Sequence, residues 1–244
     1  MKLNFSYKEL DFITLNDNKV SLNWNKLWSN RGHTLGEGLI SADKKTFFLN
    51  IPKNSSSTVK DGLLGLGWEF ANVADYPDAK IIVALRDPIK RWASGIFEYL
   101  LMYNVITIDN ICEPFNYDMW PLIGEKLGLS VIFDRITFDD HTERQCVFLH
   151  NIDLNRCSWV MVDEHFNKNF SHLLTSMGYN NTFVDLESKN ASTGEYGTAG
   201  YKKERFKEFI NYVIDKDKYK KYNLKMWFWC DYELIGKVKF YDAG

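Results

Sequence analysis

Hydrophobic and polar positions along this chain alternate in blocks that predict strands followed by helices. Three short apolar runs have the composition of buried strands: Thr46–Ile51, Lys80–Leu85 and Trp159–Val162. Continuous runs of this kind are typical of parallel strands covered on both faces. After each run, apolar residues recur at helical spacing and predict helices ending near Leu64, Leu100 and Met177. Alternating strands and helices predict a three-layer α/β fold, in which a central parallel sheet is flanked by helices.

Both ends of the chain have weaker patterns. Residues 1–44 mix short apolar runs with Asn, Asp and Gly, and predict edge strands or a hairpin. The last third is helical by pattern, because Phe206, Phe209 and Ile210 recur on one face. No internal repeat and no long Pro/Gly/Ser linker divides the sequence. We therefore expect a single domain over residues 1–244, with 1–44 as an N-terminal extension.

Composition is that of an ordinary globular protein, and it excludes some functions. The 244 residues are 45% hydrophobic and 25% charged, and a formal net charge of -2 lacks the positive field that general nucleic-acid binding needs. Any anion site must therefore be local. No run approaches about 18 apolar residues and no apolar signal segment begins the chain, so we expect a cytoplasmic protein without a membrane partner. The four cysteines lie far apart with no C-x-x-C pair, which predicts buried free thiols and no metal site.

The loop after the first predicted strand has the chemistry of an anion site. Its residues are Lys53, Asn54, Ser55, Ser56, Ser57 and Thr58, and a predicted helix follows. Backbone N–H groups in the first turn of a helix point at an anion, while hydroxyl groups and a lysine add donors and charge. The ATP-binding pattern G-x-x-x-x-G-K-[ST] is absent, because Lys53 precedes the small residues and the loop has no glycine. The loop therefore predicts a phosphate or sulfate site of another kind.

A second loop follows the second predicted strand. It begins at Arg86 and leads into a predicted helix that carries Ser94. In an open parallel sheet, ligands bind beyond the carboxyl ends of the strands, and both loops leave the sheet at that edge. The second loop is therefore expected to bind a second phosphate.

Together the two loops resemble the sulfotransferases that use 3′-phosphoadenosine 5′-phosphosulfate (PAPS). In that family a Pro-Lys-Thr-Gly-Gly-Thr-Ser-like loop binds the 5′-phosphosulfate, and an Arg-Asp-Pro-x-x-Arg-x-x-Ser segment binds the 3′-phosphate. The resemblance implies PAPS as the donor and 3′,5′-ADP as the product. The residues that it implies for the 5′ side are Lys53, Asn54, Ser55, Ser56, Ser57 and Thr58, and those for the 3′-phosphate are Arg86 and Ser94.

Other segments add to this resemblance or depart from it. Asp139–Gln145 looks like the Asp-x-His-x-x-x-Gln segment of carbohydrate sulfotransferases, so the expected acceptor is a carbohydrate hydroxyl. In the first loop, Ser55 and Ser56 stand where the family has glycines. Residues 192–203 contain several glycines and favour either a plain loop or a lid over the nucleotide.

The resemblance implies an in-line transfer of the sulfuryl group to a hydroxyl acceptor. Lys53 is expected to neutralise the charge that develops on the leaving oxygen. The base that accepts the proton of the acceptor has two candidates. His141 is one, because an imidazole titrates near neutral pH, and Asp61 is the other, at the position where glucosaminyl sulfotransferases carry a catalytic Glu. Alternatively, His141 is a polar structural residue, and Asp61 is an acidic residue near the N-terminus of a helix that interacts favourably with the helix dipole.

Two other functions compete with this interpretation. A kinase would use the same strand–loop–helix arrangement for ATP phosphates, although the Gly-Lys-Ser/Thr pattern and an acidic strand end for Mg²⁺ are missing. A non-catalytic protein of sulfotransferase-like fold would bind a nucleotide or a glycan only. Trp92 lies near the second loop, but its helical spacing with Ile89 and Ile96 favours core packing over contact with adenine.

Overall fold

A computed structural model describes residues 13–16, 19–22, 35–102, 133, 136–179 and 197–244. The strands in these ranges are β1 Ile13–Asn16, β2 Lys19–Leu22, β3 Glu37–Ile40, β4 Thr46–Leu49, β5 Glu69–Asn72, β6 Lys80–Leu85 and β7 Cys157–Met161. The helices in the same ranges are α1 Ser56–Gly65, α2 Pro88–Met102, α3 Phe166–Ser176, α4 Gly197–Lys216, α5 Lys218–Trp227 and α6 Trp229–Lys237. The strands and helices predicted from the three apolar runs are confirmed, and so is a hairpin in the N-terminal segment, where β1 pairs with β2 antiparallel.

The main sheet has five strands in the order β5-β3-β4-β6-β7. β4, β6 and β7 pair in parallel, as the apolar runs predict. The expectation of a parallel sheet is corrected at the other edge, because β3 is antiparallel to both β4 and β5. A tight turn joins β3 to β4, in which the Ser41 hydroxyl accepts hydrogen bonds from the backbone amides of Lys45 and Thr46. A connection this short allows only antiparallel pairing.

Side chains alternate between the two faces of the sheet and build a core on each. On one face, Phe47 and Val83 pack in a cluster with Phe148 and with Leu234 of α6. The opposite face carries a second cluster, whose members from strands and from α1 and α3 are Phe48, Ile82, Ala84, Val160, Val59, Leu63, Phe170 and Leu174. Full burial of each large apolar side chain contributes about 1.5–3 kcal/mol. The three-layer arrangement of the prediction is therefore confirmed.

A third core cluster joins α2 to α4 beside the sheet. Trp92 and Phe97 of α2 pack in it with Phe206 and Phe209 of α4. The Trp92 indole donates a hydrogen bond to the Ile136 carbonyl oxygen at 2.8 Å and is fully buried. Core packing of Trp92 is thereby confirmed, and the ring has no free face for adenine. Among the described residues, no helix combines the length and the apolar character needed to cross a membrane.

Candidate functional site

The loops after β4 and β6 begin side by side at one edge of the sheet. Leu49 of β4 is the Cα partner of Val83 of β6, so the two parallel strands end at nearly the same level. The Arg86 guanidinium reaches across and donates a hydrogen bond to the Lys53 carbonyl oxygen at 3.3 Å. The first residues of both predicted anion-binding segments therefore meet at the carboxyl edge of the sheet.

The first loop contains two residues in the left-handed backbone region. Lys53 has φ 67° and Ser55 has φ 58°, a conformation that costs a residue with a side chain about 1–2 kcal/mol. Asn54 lies between them and is buried. Its side-chain amide donates to the carbonyl oxygen of Ala84 and to Oε1 of Gln145, each at 2.7 Å. Asn54 thus anchors the loop to β6 in spite of the strain on either side.

Ser55, which stands where the sulfotransferase pattern has a glycine, adopts a left-handed backbone conformation. Ser55 is the N-cap residue of α1, and its side chain makes no capping hydrogen bond. The sulfotransferase pattern has glycine in this part of the loop, and glycine adopts positive φ without strain. The loop therefore has a glycine-like turn although serine occupies the position. Ser56 and Ser57 begin the first turn of α1, Thr58 is buried, and Asp61 is exposed in the second turn.

Gln145 connects the two loops and is completely buried. Its Oε1 accepts a hydrogen bond from the Arg86 backbone amide at 2.9 Å, in addition to the bond from Asn54. Its Nε2 donates to the Arg86 carbonyl oxygen at 2.8 Å. One side chain therefore sets the position of both loops. The Asp-x-His-x-x-x-Gln pattern includes Gln145, but the sequence indicates no partner for it.

Arg91, the second arginine of the Arg-Asp-Pro segment, is a buried connector. Its Nε donates to the Pro52 carbonyl oxygen at 2.8 Å, and its Nη2 donates to the Asp140 carbonyl oxygen at 3.1 Å. Its Nη1 donates to the Glu143 carbonyl oxygen. Burial lowers the pKa of Arg91 to about 10, against the opposing effect of nearby acidic groups led by Asp231. Arg91 is therefore charged at neutral pH and joins the first loop to residues 140–143.

Lys53 forms an ion pair with Glu98, which no sequence motif indicates as a site residue. Its Nζ lies 2.9 Å from Oε2 of Glu98, which is on α2 one turn after the buried Ser94. The Lys53 side chain is 17% exposed and the Glu98 side chain 37%. An anion that binds Lys53 would therefore share it with this carboxylate or replace it. Glu98 and Ser94 are four residues apart, which places them on one face of the helix.

His141 is charged at neutral pH in this structure. Its Nδ1 lies 3.1 Å from Asp139 Oδ2 and 3.0 Å from Asp140 Oδ1. Burial opposes the charged imidazole, but the hydrogen bonds and charges of the two carboxylates prevail and raise the pKa of His141 to about 9. A protonated imidazole cannot take a further proton from an acceptor hydroxyl. Asp139, Asp140 and His141 lie close enough to share a metal ion, but a protonated Nδ1 cannot be a ligand to it. The role of His141 as a base stays a prediction.

A cavity opens at the same edge of the sheet as the two loops. It has a volume of about 430 Å³, and its lining residues include Glu37, Asn50, Lys60, Phe70 and Asn72. Glu37 pairs with Asn72, and its carbonyl oxygen accepts a hydrogen bond from the Asn50 amide, so these residues lie level with the carboxyl end of β4. Phe70 is 69% exposed. The cavity therefore combines an exposed aromatic ring with polar groups, next to the strand from which the first loop departs.

The predicted lid is only partly described. Residues 192–196 lie outside the described residues, and 197–203 belong to α4. The expectation of a loop over residues 192–203 is therefore corrected for its second half, which is helical.

Comparisons of the chain with protein-family models, with curated proteins and with solved structures found no match. The likeness to sulfotransferases accordingly rests on the sequence motifs of the two loops and of residues 139–145.

Proposed function

We propose that this protein is a sulfotransferase that moves the sulfuryl group of PAPS to a hydroxyl acceptor. The observation that carries the proposal is the junction of the two motif loops. Arg86 donates to the Lys53 carbonyl oxygen, and Gln145 binds both segments, at the carboxyl ends of neighbouring parallel strands. A donor with phosphate groups at two ends of a nucleoside needs two anion sites at such an edge.

The donor-binding residues in this proposal are divided between the loops. Lys53 and the first-turn amides of α1, which belong to residues 56–58, bind the 5′ side, because a helix N-terminus favours negative charge. Arg86, which is partly exposed, binds the 3′-phosphate, and Ser94, which is 3% exposed, joins it when its surroundings rearrange around the ligand. PAPS supplies an activated sulfuryl group whose bond to the phosphate oxygen breaks as the bond to the acceptor oxygen forms. Lys53 neutralises the charge on the departing oxygen once Glu98 no longer holds its ammonium group.

The acceptor hydroxyl loses its proton to a base, for which Asp61 and His141 remain the candidates. Asp61 is exposed in the second turn of α1, the helix that begins at the first loop. His141 needs to lose its own proton first, because its pKa is raised to about 9. At neutral pH the proton already on His141 therefore makes Asp61 the better candidate.

We propose a carbohydrate as the acceptor on the basis of the cavity beside the first loop. Phe70 offers an exposed apolar ring to the C–H face of a sugar, and Glu37 and Lys60 line the same cavity as polar partners for its hydroxyls. A cavity that combines an apolar ring with polar groups suits a small-molecule ligand.

Thermal stabilisation by nucleotides tests the donor site. We expect 3′,5′-ADP to raise the unfolding temperature, and ATP with Mg²⁺ to raise it less. Arg86→Ala should remove the shift, and Lys53→Ala should reduce it without abolishing it. Lys80→Ala is the matched control, since Lys80 is exposed at the amino end of β6, and it should keep the shift. A larger shift with ATP and Mg²⁺ would favour a kinase instead, and no shift with either nucleotide would contradict both enzyme functions.

Transfer of labelled sulfate from PAPS to a panel of glycans and phenols tests the catalytic step. A second candidate function is binding without transfer, which the Lys53–Glu98 ion pair and the protonated His141 favour. Binding of 3′,5′-ADP without any labelled product would support that second function. Labelled glycan would support the enzyme, and Lys53→Ala should then lose turnover to a greater extent than nucleotide affinity.

A further inference from the structure

Two buried thiols from distant parts of the chain are in contact behind the candidate site. Cys146 belongs to the short 3₁₀ helix Gln145–Leu149, and Cys230 belongs to α6. Their Sγ atoms lie 2.7 Å apart although the residues are 84 positions apart in sequence. Cys146 is 0% exposed and Cys230 is 3% exposed. The sequence predicts buried free thiols, but its spacing contains no sign that these two meet.

Hydrogen bonds of the neighbouring residues hold the two thiols together. Asp231 follows Cys230 and is completely buried. Its Oδ1 accepts from the Cys146 backbone amide at 2.8 Å, and its Oδ2 accepts from the Gln145 backbone amide at 2.9 Å. These two hydrogen bonds join α6 to the 3₁₀ helix and thereby hold the two sulfur atoms in contact.

The geometry argues against a metal and for a sulfur–sulfur bond. Cys146, Cys230 and Asp231 are close enough to share an ion. A tetrahedral metal with sulfur ligands at about 2.3 Å would hold the two sulfurs about 3.8 Å apart. The observed 2.7 Å is much shorter, and both carboxylate oxygens already accept backbone amides. Nonbonded carbon atoms pack at about 3.5–4.0 Å, and sulfur is larger than carbon. The distance between the two sulfur atoms is therefore shorter than the separation of nonbonded atoms in ordinary packing.

We propose that Cys146 and Cys230 are a disulfide site, which closes when the chain meets a small-molecule disulfide such as oxidised glutathione. The two thiols lose two protons and two electrons, and the sulfur–sulfur bond of the oxidant breaks to give two glutathione thiols. The bond would tie α6, near the end of the chain, to the segment that carries Gln145. This inference does not depend on the proposed function.

Burial decides how the bond forms. A thiol reacts as its thiolate, and burial raises the pKa of Cys146 well above that of a free thiol, with the neighbouring Cys230 adding to the effect. Exchange with a dissolved disulfide therefore needs α6 to separate from the 3₁₀ helix, or takes place while the chain folds. We expect the folded protein to oxidise slowly and the refolding protein to oxidise fast.

Thiol counting on the full chain tests the proposal. The native protein and protein refolding from denaturant are each kept in oxidised glutathione, and free thiols are counted after denaturation, with a dithiothreitol-treated sample as reference. We expect the count to fall from four to two, and a non-reduced peptide map to contain the Cys146–Cys230 link. The oxidised protein should unfold about 10 °C above the reduced one, because the bond closes a loop of 84 residues.

Three variants make the outcome specific. Cys157→Ser is the control, and its number of free thiols should fall from three to one on oxidation. Cys146→Ser and Cys230→Ser should each keep three. Four free thiols in both wild-type samples, a link that includes Cys157 or Cys112, or glutathione attached to a single cysteine would overturn the proposal. The wild-type peptide map is decisive even for a variant that does not fold.

Discussion

The residues around the two loops fall into two regions that differ in burial and in bonding. We call Asn54, Arg91 and Gln145 the floor, because all three are almost fully buried and their side chains form hydrogen bonds within the protein. Lys53, Ser55 and Arg86 form the rim, which is partly exposed. The rim contains the two left-handed residues of the first loop.

This difference separates two uses of one sequence pattern. Arg86 and Arg91 belong to the same Arg-Asp-Pro-x-x-Arg segment. Arg91 is buried and donates to three carbonyl oxygens, whereas Arg86 is partly exposed and reaches the Lys53 carbonyl oxygen at the rim. A buried charge with full hydrogen bonding is costly to disturb, whereas a partly exposed charge can rearrange around a ligand. A motif therefore contains residues that build a site as well as residues that bind its ligand.

Removing each arginine in turn tests whether floor and rim differ in their contribution to stability. Arg91→Ala leaves the carbonyl oxygens of Pro52, Asp140 and Glu143 without their donor, and should lower the free energy of unfolding by about 3–5 kcal/mol. Arg86→Ala should lower it by less than about 1 kcal/mol. Chemical denaturation measures both values. Equal losses for the two variants would show that floor and rim are not distinct.

Much of the framework beneath these regions follows from local signals, but their connections do not. The apolar runs predict β4, β6 and β7, and helical spacing predicts the helices after them, because both signals are properties of residues close together in sequence. β3 begins with Glu37 and Gly38, and β5 has a polar residue at each end with none of its residues buried, so neither strand is a continuous apolar run. The Gln145 side chain bonds residues as distant in sequence as 54 and 86, and the charge of His141 depends on the carboxylates that fold against it. Such relations arise only once the chain has folded.

The charge of His141 gives the stability of the protein a distinctive pH dependence. The pKa of His141 rises from 6.5 to about 9 on folding, so its stabilising contribution is complete below pH about 6.5 and is lost as the pH rises through about 9. The loss amounts to about 3 kcal/mol. Unfolding free energies between pH 6 and 10 should therefore decline more steeply for wild type than for His141→Gln. His172→Gln, at an exposed position on α3, is the control and should keep the wild-type slope.

If the unfolding free energy of His141→Gln declines with pH as steeply as that of wild type, His141 is not the group responsible for the decline. The slope is the informative quantity, because the substitution also leaves Asp139 and Asp140 with one partner fewer at every pH.

The rim can be tested through the ion pair that occupies Lys53, on the basis of the proposed function. Glu98→Gln removes a negative charge that lies 2.9 Å from the Lys53 ammonium, and so removes a competitor for a phosphate. We expect 3′,5′-ADP to bind about 10-fold more tightly, which corresponds to about 1.4 kcal/mol. Titration calorimetry measures the affinity. Glu69→Gln breaks an exposed pair with Lys44 outside the two loops and should leave the affinity unchanged.

Unchanged or weaker nucleotide binding by Glu98→Gln would mean that the carboxylate does not compete for Lys53. Tighter binding of 3′,5′-ADP by both variants would mean that the nucleotide responds to overall charge only, and would not support a site at the rim.

The smallest expected effect tests whether the floor holds the rim in a strained form. Ser55→Gly removes a side chain that makes no capping hydrogen bond from a position with φ 58°. The free energy gained by relieving backbone strain in the folded state exceeds the free energy lost because glycine gives the unfolded chain more conformational entropy. We expect the free energy of unfolding to rise by about 0.5 kcal/mol. Ser171→Gly lies within α3 and should lower it by a similar amount, because a helical backbone disfavours glycine. A loss of stability in both variants would mean that Ser55 is unstrained. Opposite signs would mean that Asn54 and Gln145 keep the loop in a turn suited to glycine.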